Sequence, residues 1–230
     1  MYIFLGKNLK DYNSLMSPKP SLSIAKIPFD VGSQLRQHRR SMKLTLNELS
    51  QRASLSVGLL SQIERGITSP SLKSLHLICD ALNFPVGWLF DQTSDSNPAE
   101  RSTVVRQGAR RTLSLGAFGL KKELLSPDLG GNLQMYLMTI RPEGHSGPES
   151  YAHDGEEGGM VLAGTLKLSV EGQDMMLYEG DAFRFSSGRK HRFSNPGQSE
   201  TRVIWTNSQP FYSNFDASKA VKPSAKGTSN

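Results

Sequence analysis

Residues 45–66 read TLNELSQRASLSVGLLSQIERG, and this stretch decides the fold of the N-terminal part of the chain. Thr45 is followed three residues later by Glu48, which is the pattern of a capping box at the start of a helix. Ser56 is placed to cap a second helix, and Gly66 marks the end of that helix. The stretch therefore predicts two short helices joined by a tight turn.

Helical periodicity continues on both sides of this pair, from residue 28 to residue 92. A first helix is predicted over residues 31–42, and a fourth starts after Pro70. A short fifth helix, carrying Trp88 and Phe90, is predicted to open at Pro85. Five helices with a short pair among them form an all-α helix-turn-helix domain. Four basic side chains are predicted on the outer side of the first helix and its end: Arg36, Arg39, Arg40 and Lys43.

The pattern changes after residues 93–103, which are interpreted as a linker. From residue 104 to 212, short apolar runs alternate with Gly, Pro, Asn and Asp turns, as in an all-β barrel or sandwich. Residues 1–27 have little periodicity and are interpreted as a flexible arm. Residues 213–230 are polar and basic, which is typical of a disordered tail. The sequence therefore predicts two folded domains between two flexible ends.

Composition narrows the classes of function. The 230 residues carry a net charge of +6, which is consistent with a polyanionic partner. No apolar run approaches the ~18 residues that a membrane span needs, and the N-terminus has no signal-peptide core. We therefore expect a cytoplasmic protein with no membrane partner. The single cysteine, Cys79, rules out an intramolecular disulfide, and its helical apolar pattern predicts a buried side chain.

The run from Leu46 to Leu72 carries the motifs of a close resemblance to the xenobiotic-response-element and lambda-repressor family of DNA-binding domains. The resemblance as a whole covers about sixty residues. The resemblance implies that the second helix of the pair lies in the major groove of double-stranded DNA. Carried over position by position, it also implies the residues that reach the base edges. This recognition set consists of Ser56, Val57, Gly58, Ser61 and Gln62.

Gln62 is the most informative member of the recognition set, because its amide can form a bidentate pair with N6 and N7 of adenine. Val57 offers methyl groups to a thymine, while Gly58 lets the helix approach closely without reading a base itself. Phosphate contacts are expected from two backbone N–H groups and four basic side chains. These are, respectively, Thr45 and Leu46, and Arg39, Arg40, Arg65 and Lys73.

Alternatives remain open for three of these basic residues. Arg39 and Arg40 are as readily explained as solvated side chains. Arg65 could cap its own helix or pair with Glu48 instead of contacting DNA.

Two stretches of the second domain resemble the sequence boxes of the cupin family, a double-stranded jelly-roll barrel. They are YAHDGEE at residues 151–157 and GRKHRFSN at residues 188–195. In cupins the first box supplies two histidines and a glutamate as metal ligands, and the second box supplies one more histidine. The resemblance implies three of these four ligands here, namely His153, Glu157 and His191. Tyr151 occupies the position of the first histidine.

Two imidazoles and one carboxylate could bind a divalent Zn, Fe, Mn or Ni ion with coordination positions left open. The alternative is that His153, Glu157 and His191 only hydrogen-bond one another or an organic ligand inside the barrel. Tyr151 is expected to line the pocket. The predicted ligand-binding residues are therefore Tyr151, His153, Glu157 and His191, and no catalytic residue is predicted.

Together the two resemblances imply a sequence-specific DNA-binding transcriptional regulator, expected to act as a repressor. It would bind a palindromic operator as a homodimer, and its barrel would sense a small effector such as an amine, polyamine or amino acid. A cupin metalloenzyme, a dioxygenase or isomerase with an accessory DNA-binding domain, is the alternative. Tyr151 argues against it, because such enzymes usually keep the full ligand set. An antitoxin or scaffold would need only the helical domain.

Overall fold

The structure is a computed structural model that describes residues 30–83, 86–90, 102–127 and 132–208. The predicted arm at residues 1–27, nearly all of the predicted linker and the predicted tail lie outside these residues. The described helical part contains four α-helices and one 3-10 helix. These are α1 (Val31–Ser41), α2 (Leu46–Ala53), α3 (Val57–Glu64), α4 (Leu72–Ala81) and the 3-10 helix Val86–Leu89.

The pair α2 and α3 begins at the caps that the sequence predicts. The Glu48 backbone N–H donates to Thr45 Oγ1 at 3.2 Å, and the Thr45 backbone N–H donates to Glu48 Oε2 at 2.7 Å, which completes the capping box. The Ser56 hydroxyl accepts a hydrogen bond from the Leu59 N–H at 3.2 Å. Gly66 follows α3 with a φ of 70°, a left-handed conformation that glycine adopts without strain.

The prediction of a fifth α-helix is wrong. Residues Val86–Leu89 form a 3-10 helix of four residues. A segment this short cannot form a series of bonds between residues four apart, so the tighter 3-10 turn is the stable form. The fourth helix begins after the cap Ser71, as the Pro70 signal predicts.

A single apolar core joins the four helices. Leu35, Leu60 and Leu75 are buried, and Cys79 is buried as its helical pattern predicts. The helices α1 and α3 approach very closely, because a Cβ atom on Gly32 would lie 2.0 Å from the Ile63 carbonyl oxygen. Within the described parts of the chain, no helix combines the length and the apolar character that crossing a membrane requires.

The second part of the chain is all-β, as predicted, and its strands are antiparallel. One sheet has six strands in the order β1-β2-β3-β9-β4-β7, and the other has three in the order β6-β5-β8. The strands are β1 (Thr112–Leu115), β2 (Leu120–Leu124), β3 (Leu133–Ile140), β4 (Glu156–Ala163), β5 (Thr165–Val170), β6 (Gln173–Tyr178), β7 (Ala182–Ser186), β8 (His191–Ser194) and β9 (Thr201–Ser208).

The helical and β domains are in direct contact along α4. The Leu72 N–H donates to the Ser146 carbonyl oxygen at 3.1 Å. A Cβ atom on Gly147 would lie 2.8 Å from the Ser71 Cβ, so the start of α4 lies directly against the barrel. Phe90, just after the 3-10 helix, stacks on Tyr136 of β3 with ring centroids 5.7 Å apart.

Candidate functional site

The recognition set lies on the outward side of α3. Ser56, Val57, Gly58 and Gln62 are exposed, and Ser61 is half-buried. The opposite side of the helix is closed by Leu60, Ile63 and Glu64, which are buried. Gly58 and Gln62 are four residues apart and therefore share one helical face. This face is free to meet a partner molecule.

At Gly32 close packing of α1 against α3 requires a glycine, but no such packing is found at Gly58. A Cβ atom built on Gly58 has no heavy atom within 4 Å, and its φ is not in the left-handed region. The packing of this chain would accept a larger residue there. A glycine at this place is consistent with close approach by something outside the chain.

The prediction that Arg39 lies on the outer side of α1 is wrong. Arg39 is 8% exposed, and its Nε and Nη2 atoms donate to the Glu64 carboxylate at 2.6 and 2.8 Å. Its Nη1 atom donates to the Leu44 carbonyl oxygen at 2.6 Å. Arg39 lies four residues after the buried Leu35, so both fall on the helix face that packs inward. Each of the three guanidinium nitrogens already donates a hydrogen bond within the chain, which removes Arg39 from the phosphate candidates.

Two other phosphate candidates are engaged within the helical domain. The Thr45 backbone N–H donates to Glu48 in the capping box. Arg65 is exposed, and its Nε donates to the Ser61 carbonyl oxygen at 3.3 Å, so it caps its own helix rather than pairing with Glu48. Leu46, the other predicted backbone donor, is half-buried in the first turn of α2.

The last two basic candidates differ from each other. Arg40 is exposed at the end of α1 and stays available for a phosphate. The Lys73 ammonium on α4 forms an ion pair with Glu149 of the β domain. Lys73 therefore contributes to the contact between the two domains.

The structure brings the three predicted cupin residues together inside the barrel. His153 precedes β4, Glu157 lies on β4 and His191 begins β8. His153 Nε2 lies 2.5 Å from Glu157 Oε1, and His191 Nε2 lies 3.6 Å from the same oxygen. One ligand atom from each residue lies within 4.8 Å of the others. These three residues are called the His–Glu cluster below.

Backbone carbonyl oxygens contact the Nδ1 atoms of both histidines and so set which ring nitrogen carries the hydrogen. His153 Nδ1 contacts the Asp154 carbonyl oxygen at 2.8 Å, and His191 Nδ1 contacts the Arg189 carbonyl oxygen at 2.8 Å. Because a carbonyl oxygen only accepts, both Nδ1 atoms carry a hydrogen, and in a neutral ring Nε2 then has the free lone pair. This is the orientation in which histidines ligate metals.

Two features of the cluster fit a bound cation. The His153 Nε2 lone pair would face a carboxylate oxygen at 2.5 Å, which requires a positive charge between them, either a proton or a metal ion. His191 Nε2 is buried and has no hydrogen-bond partner among the described residues. A buried nitrogen is costly in that state, so the residues present fit a divalent metal.

The carboxylate of the cluster is held in place from β9. Glu157 Oε2 accepts a hydrogen bond from Trp205 Nε1 at 2.8 Å, and Oε1 accepts one from Asn207 Nδ2 at 3.3 Å. Burial by itself would raise the pKa of Glu157, but the hydrogen bond with His153 and the nearby histidines and Lys122 lower this pKa below its ordinary value. Glu157 is therefore an ionised carboxylate at neutral pH.

Tyr151 lies beside the cluster rather than far from it. Its side chain is buried, and its ring centroid is 4.3 Å from that of His191. Burial raises the pKa of the Tyr151 phenol well above its ordinary value, and the charge of Glu157 raises it further. The neutral phenol can donate a hydrogen bond to a molecule in the barrel.

Two residues near the cluster were missed by the sequence interpretation. His76 on α4 places its ring 5.6 Å from Tyr151 and 5.8 Å from His153, measured between centroids. Lys122 on β2 places Nζ 4.2 Å from the centre of the Tyr136 ring. A signal for Lys122 was present, because it alternates with Leu120 and Leu124 on the inward side of its strand.

Comparison with known proteins assigns both domains. Residues 35–89 match the family model described as helix-turn-helix, and residues 136–207 match the model described as cupin domain. The helix-turn-helix match covers α2, α3 and α4, and the cupin match covers Glu157 and His191.

The chain is similar to named regulators over most of its length. It is 26% identical to the HTH-type transcriptional regulator PuuR of Escherichia coli over 174 residues, which is 75% of this chain and 91% of that protein. It is 26% identical to the HTH-type transcriptional regulator SutR of the same organism over 73% of this chain and 88% of the relative. The transcriptional regulator ClgR of Mycobacterium tuberculosis is 48% identical, but over only 24% of this chain and 50% of that protein.

Among solved structures, an HTH_3 family transcriptional regulator from Vibrio cholerae shares the fold, with a TM-score of 0.56 and 22% identity. That match covers 79% of this chain and 96% of the other. The two family matches and the named regulators together show a helix-turn-helix domain followed by a cupin domain, the architecture of a DNA-binding transcriptional regulator with a cupin sensor.

Proposed function

We propose that this protein represses transcription by binding a palindromic operator as a homodimer, and that a small polar effector in the cupin barrel changes its affinity for DNA. The observation that carries this proposal is the position of α4. This helix packs in the core of the DNA-binding domain through Leu75 and Ile78, and it places His76 beside the His–Glu cluster. One rigid helix thus belongs to both parts of the molecule.

The recognition set on α3 supports base-specific binding. Gln62 is exposed one turn beyond Gly58, on the side of α3 that faces away from the core. A glutamine in this position can discriminate adenine, with a cost of ~1–3 kcal/mol when the pair is lost. Arg40 is an exposed cation at the end of α1 that would strengthen this contact through a phosphate.

Binding as a homodimer follows from how little DNA one such domain contacts. One helix-turn-helix domain covers a few base pairs, so operator specificity calls for two half-sites about 34 Å apart. Strands β4 and β6 carry a set of exposed apolar side chains that a second copy of the chain would cover. The five side chains are between 38% and 58% exposed: Met160, Leu162, Met175, Met176 and Tyr178.

A divalent ion, Zn, Fe, Mn or Ni, would be held by the His–Glu cluster. When bound, it would supply a positive charge that anchors a polar effector in the barrel. The residues of this chain orient that site, since Trp205 and Asn207 fix the Glu157 carboxylate and backbone carbonyls fix the histidine rings.

An effector changes DNA affinity only if it binds one arrangement of the domains better than another. Two contacts would couple the position of the helical domain to the barrel. They are the stack of Phe90 on Tyr136 and the hydrogen bond from the Leu72 N–H to the Ser146 carbonyl oxygen. Coupling of about 1–3 kcal/mol would change operator affinity 5- to 150-fold.

A cupin metalloenzyme is the second candidate function. It is favoured by one observation, the convergence of two histidines and one carboxylate, which is the ligand set of non-haem iron oxygenases. A complete cupin ligand set would have a histidine where this chain has Tyr151, and this difference favours the regulator.

The test of DNA recognition compares two exposed glutamines. The full chain selects a duplex from a random pool, and binding to that duplex and to a scrambled one is measured by fluorescence anisotropy. Gln62→Ala should weaken binding to the selected duplex by ~1–3 kcal/mol and leave the scrambled duplex unaffected. Gln37→Ala on α1, also exposed, is the control and should change neither. Equal losses on both duplexes for Gln62→Ala would remove α3 from base recognition.

A further inference from the structure

Lys122 brings a positive charge into the barrel from β2. The residues on either side of it in the same face, Leu120 and Leu124, are 3% and 1% exposed, while Lys121 points to solvent. The Lys122 ammonium lies 4.2 Å from the centre of the Tyr136 ring. Tyr136 in turn stacks under Phe90 of the DNA-binding domain. The cation therefore lies inside the barrel, close to where the helical domain covers it.

No described carboxylate forms an ion pair with this ammonium. Glu157 is the only buried acidic side chain in the described part of the barrel. Its carboxylate already accepts hydrogen bonds from Trp205 and Asn207 and contacts His153. Glu157 acts on Lys122 only as a more distant charge. Lys122 is half-buried, and its ammonium has the Tyr136 ring but no described carboxylate beside it, so an anion would complete its surroundings.

The electrostatic state of Lys122 agrees with this placement. Burial lowers the pKa of Lys122 to about 8, and the charge of Glu157 opposes that effect only in part. At neutral pH the ammonium is still charged, in surroundings that solvate it poorly. An anion beside it would relieve this cost.

We propose that the effector carries a carboxylate group that pairs with the Lys122 ammonium inside the barrel. This inference rests on the proposed sensor function and narrows its ligand class to carboxylic acids and amino acids. A diamine or polyamine does not suit the site, because an ammonium group would meet Lys122 and find Glu157 already hydrogen-bonded. A divalent ion in the His–Glu cluster would add positive charge and favour the same class.

The same placement brings the effector to the domain boundary. His76 of α4 lies within the electrostatic reach of Lys122 and His153, and burial lowers its pKa well below the ordinary value. An acid held between β2 and α4 would therefore contact both domains at once.

The test uses three probes with the same four-carbon chain: butanedioate, 4-aminobutanoate and 1,4-diaminobutane. Binding to the full chain is measured by isothermal titration calorimetry, with and without added Zn²⁺. At least one of the two carboxylates should bind, and the diamine should not. Lys122→Met should weaken carboxylate binding about 10- to 100-fold, the value of a hydrogen-bonded charge, and Lys122→Arg should retain most of it.

Lys121→Met is the matched control, because this exposed neighbour pairs with Glu123 at 3.6 Å outside the barrel. It should leave binding unchanged. Binding of the diamine, failure of both carboxylates, or equal affinities in wild type and Lys122→Met would each overturn the proposal. The Gln62→Ala measurement does not depend on these outcomes, so loss of the carboxylate assignment is separable from loss of DNA recognition.

Discussion

Arg39 with Glu64 in the helical domain and the His–Glu cluster in the barrel are both buried groups of charge, but they are completed in different ways. Arg39 directs three nitrogen atoms at acceptors within the chain. In the cluster, His191 Nε2 has no hydrogen-bond partner among the described residues, and the nearest carboxylate oxygen is 3.6 Å away. The first group is closed, and the second is open to a further atom.

This difference separates structural charges from functional ones. A closed pair costs much to break and gains nothing from a ligand. An open cluster is a local cost to the fold that a ligand or metal can remove. Burial alone does not distinguish the two, since Arg39 and Glu157 are both buried. The count of satisfied hydrogen-bonding atoms does.

The largest effect on stability is expected from breaking the closed pair. Arg39→Met leaves the Glu64 carboxylate buried without its partner, so the free energy of unfolding should fall by about 3–5 kcal/mol. Arg40→Met, at the exposed neighbouring position, is the control and should change it by less than about 0.5 kcal/mol. Urea denaturation followed by circular dichroism measures both. Equal small changes would mean that the Arg39–Glu64 pair is not closed in solution.

Removing the histidines of the His–Glu cluster should affect metal binding more than stability. The double substitution His153→Ala and His191→Ala removes two of the three donor groups, so binding of Zn²⁺, measured by native mass spectrometry, should be lost. Stability without metal should fall by about 1–3 kcal/mol, because the Glu157 carboxylate loses its contact with His153 but keeps the hydrogen bonds from Trp205 and Asn207. Binding to the selected duplex without effector should stay near the wild-type value. Retained stoichiometric zinc in the double variant would show that the metal lies elsewhere.

The smallest effect is expected at Gly58. A Cβ atom there has no neighbour within 4 Å, whereas a Cβ atom on Gly32 would lie 2.0 Å from the Ile63 carbonyl oxygen. Gly58→Ala has room for its methyl group and should stabilise the fold by about 0.5–1 kcal/mol through helix propensity. The same methyl group should weaken binding to the selected duplex, because it lies in the recognition set. Thermal melting and anisotropy measure the two effects. Unchanged DNA affinity in this variant would place α3 away from the groove.

The ends of the helices could be predicted from sequence, because capping residues and turn glycines act within a few positions of the chain. The capping box at Thr45 and the turn at Gly66 set the ends of α2 and α3, so the spacing of the pair could be predicted from sequence. The convergence of His153 with His191 could not be derived from spacing, since 38 positions of chain with intervening strands separate them. It came from the resemblance to cupin boxes.

The errors arose where tertiary packing decides. The prediction that Arg39 lies on the outer side of α1 fails because its long stem and planar head suit a buried carboxylate such as Glu64. His76 was overlooked because its role depends on the contact between α4 and the barrel, which no periodicity within α4 predicts. A contact between two domains depends on the shape and chemistry of both surfaces, so the sequence of one helix does not predict it.

We propose that this protein recognises a specific DNA sequence as a pair of half-sites. The most direct test is selection of duplexes from a random pool by the full chain, followed by sequencing over successive rounds. We expect enrichment of one inverted repeat with half-site centres about one helical turn apart. A pool that binds but acquires no common sequence, or one that acquires a single unrepeated site, would contradict it.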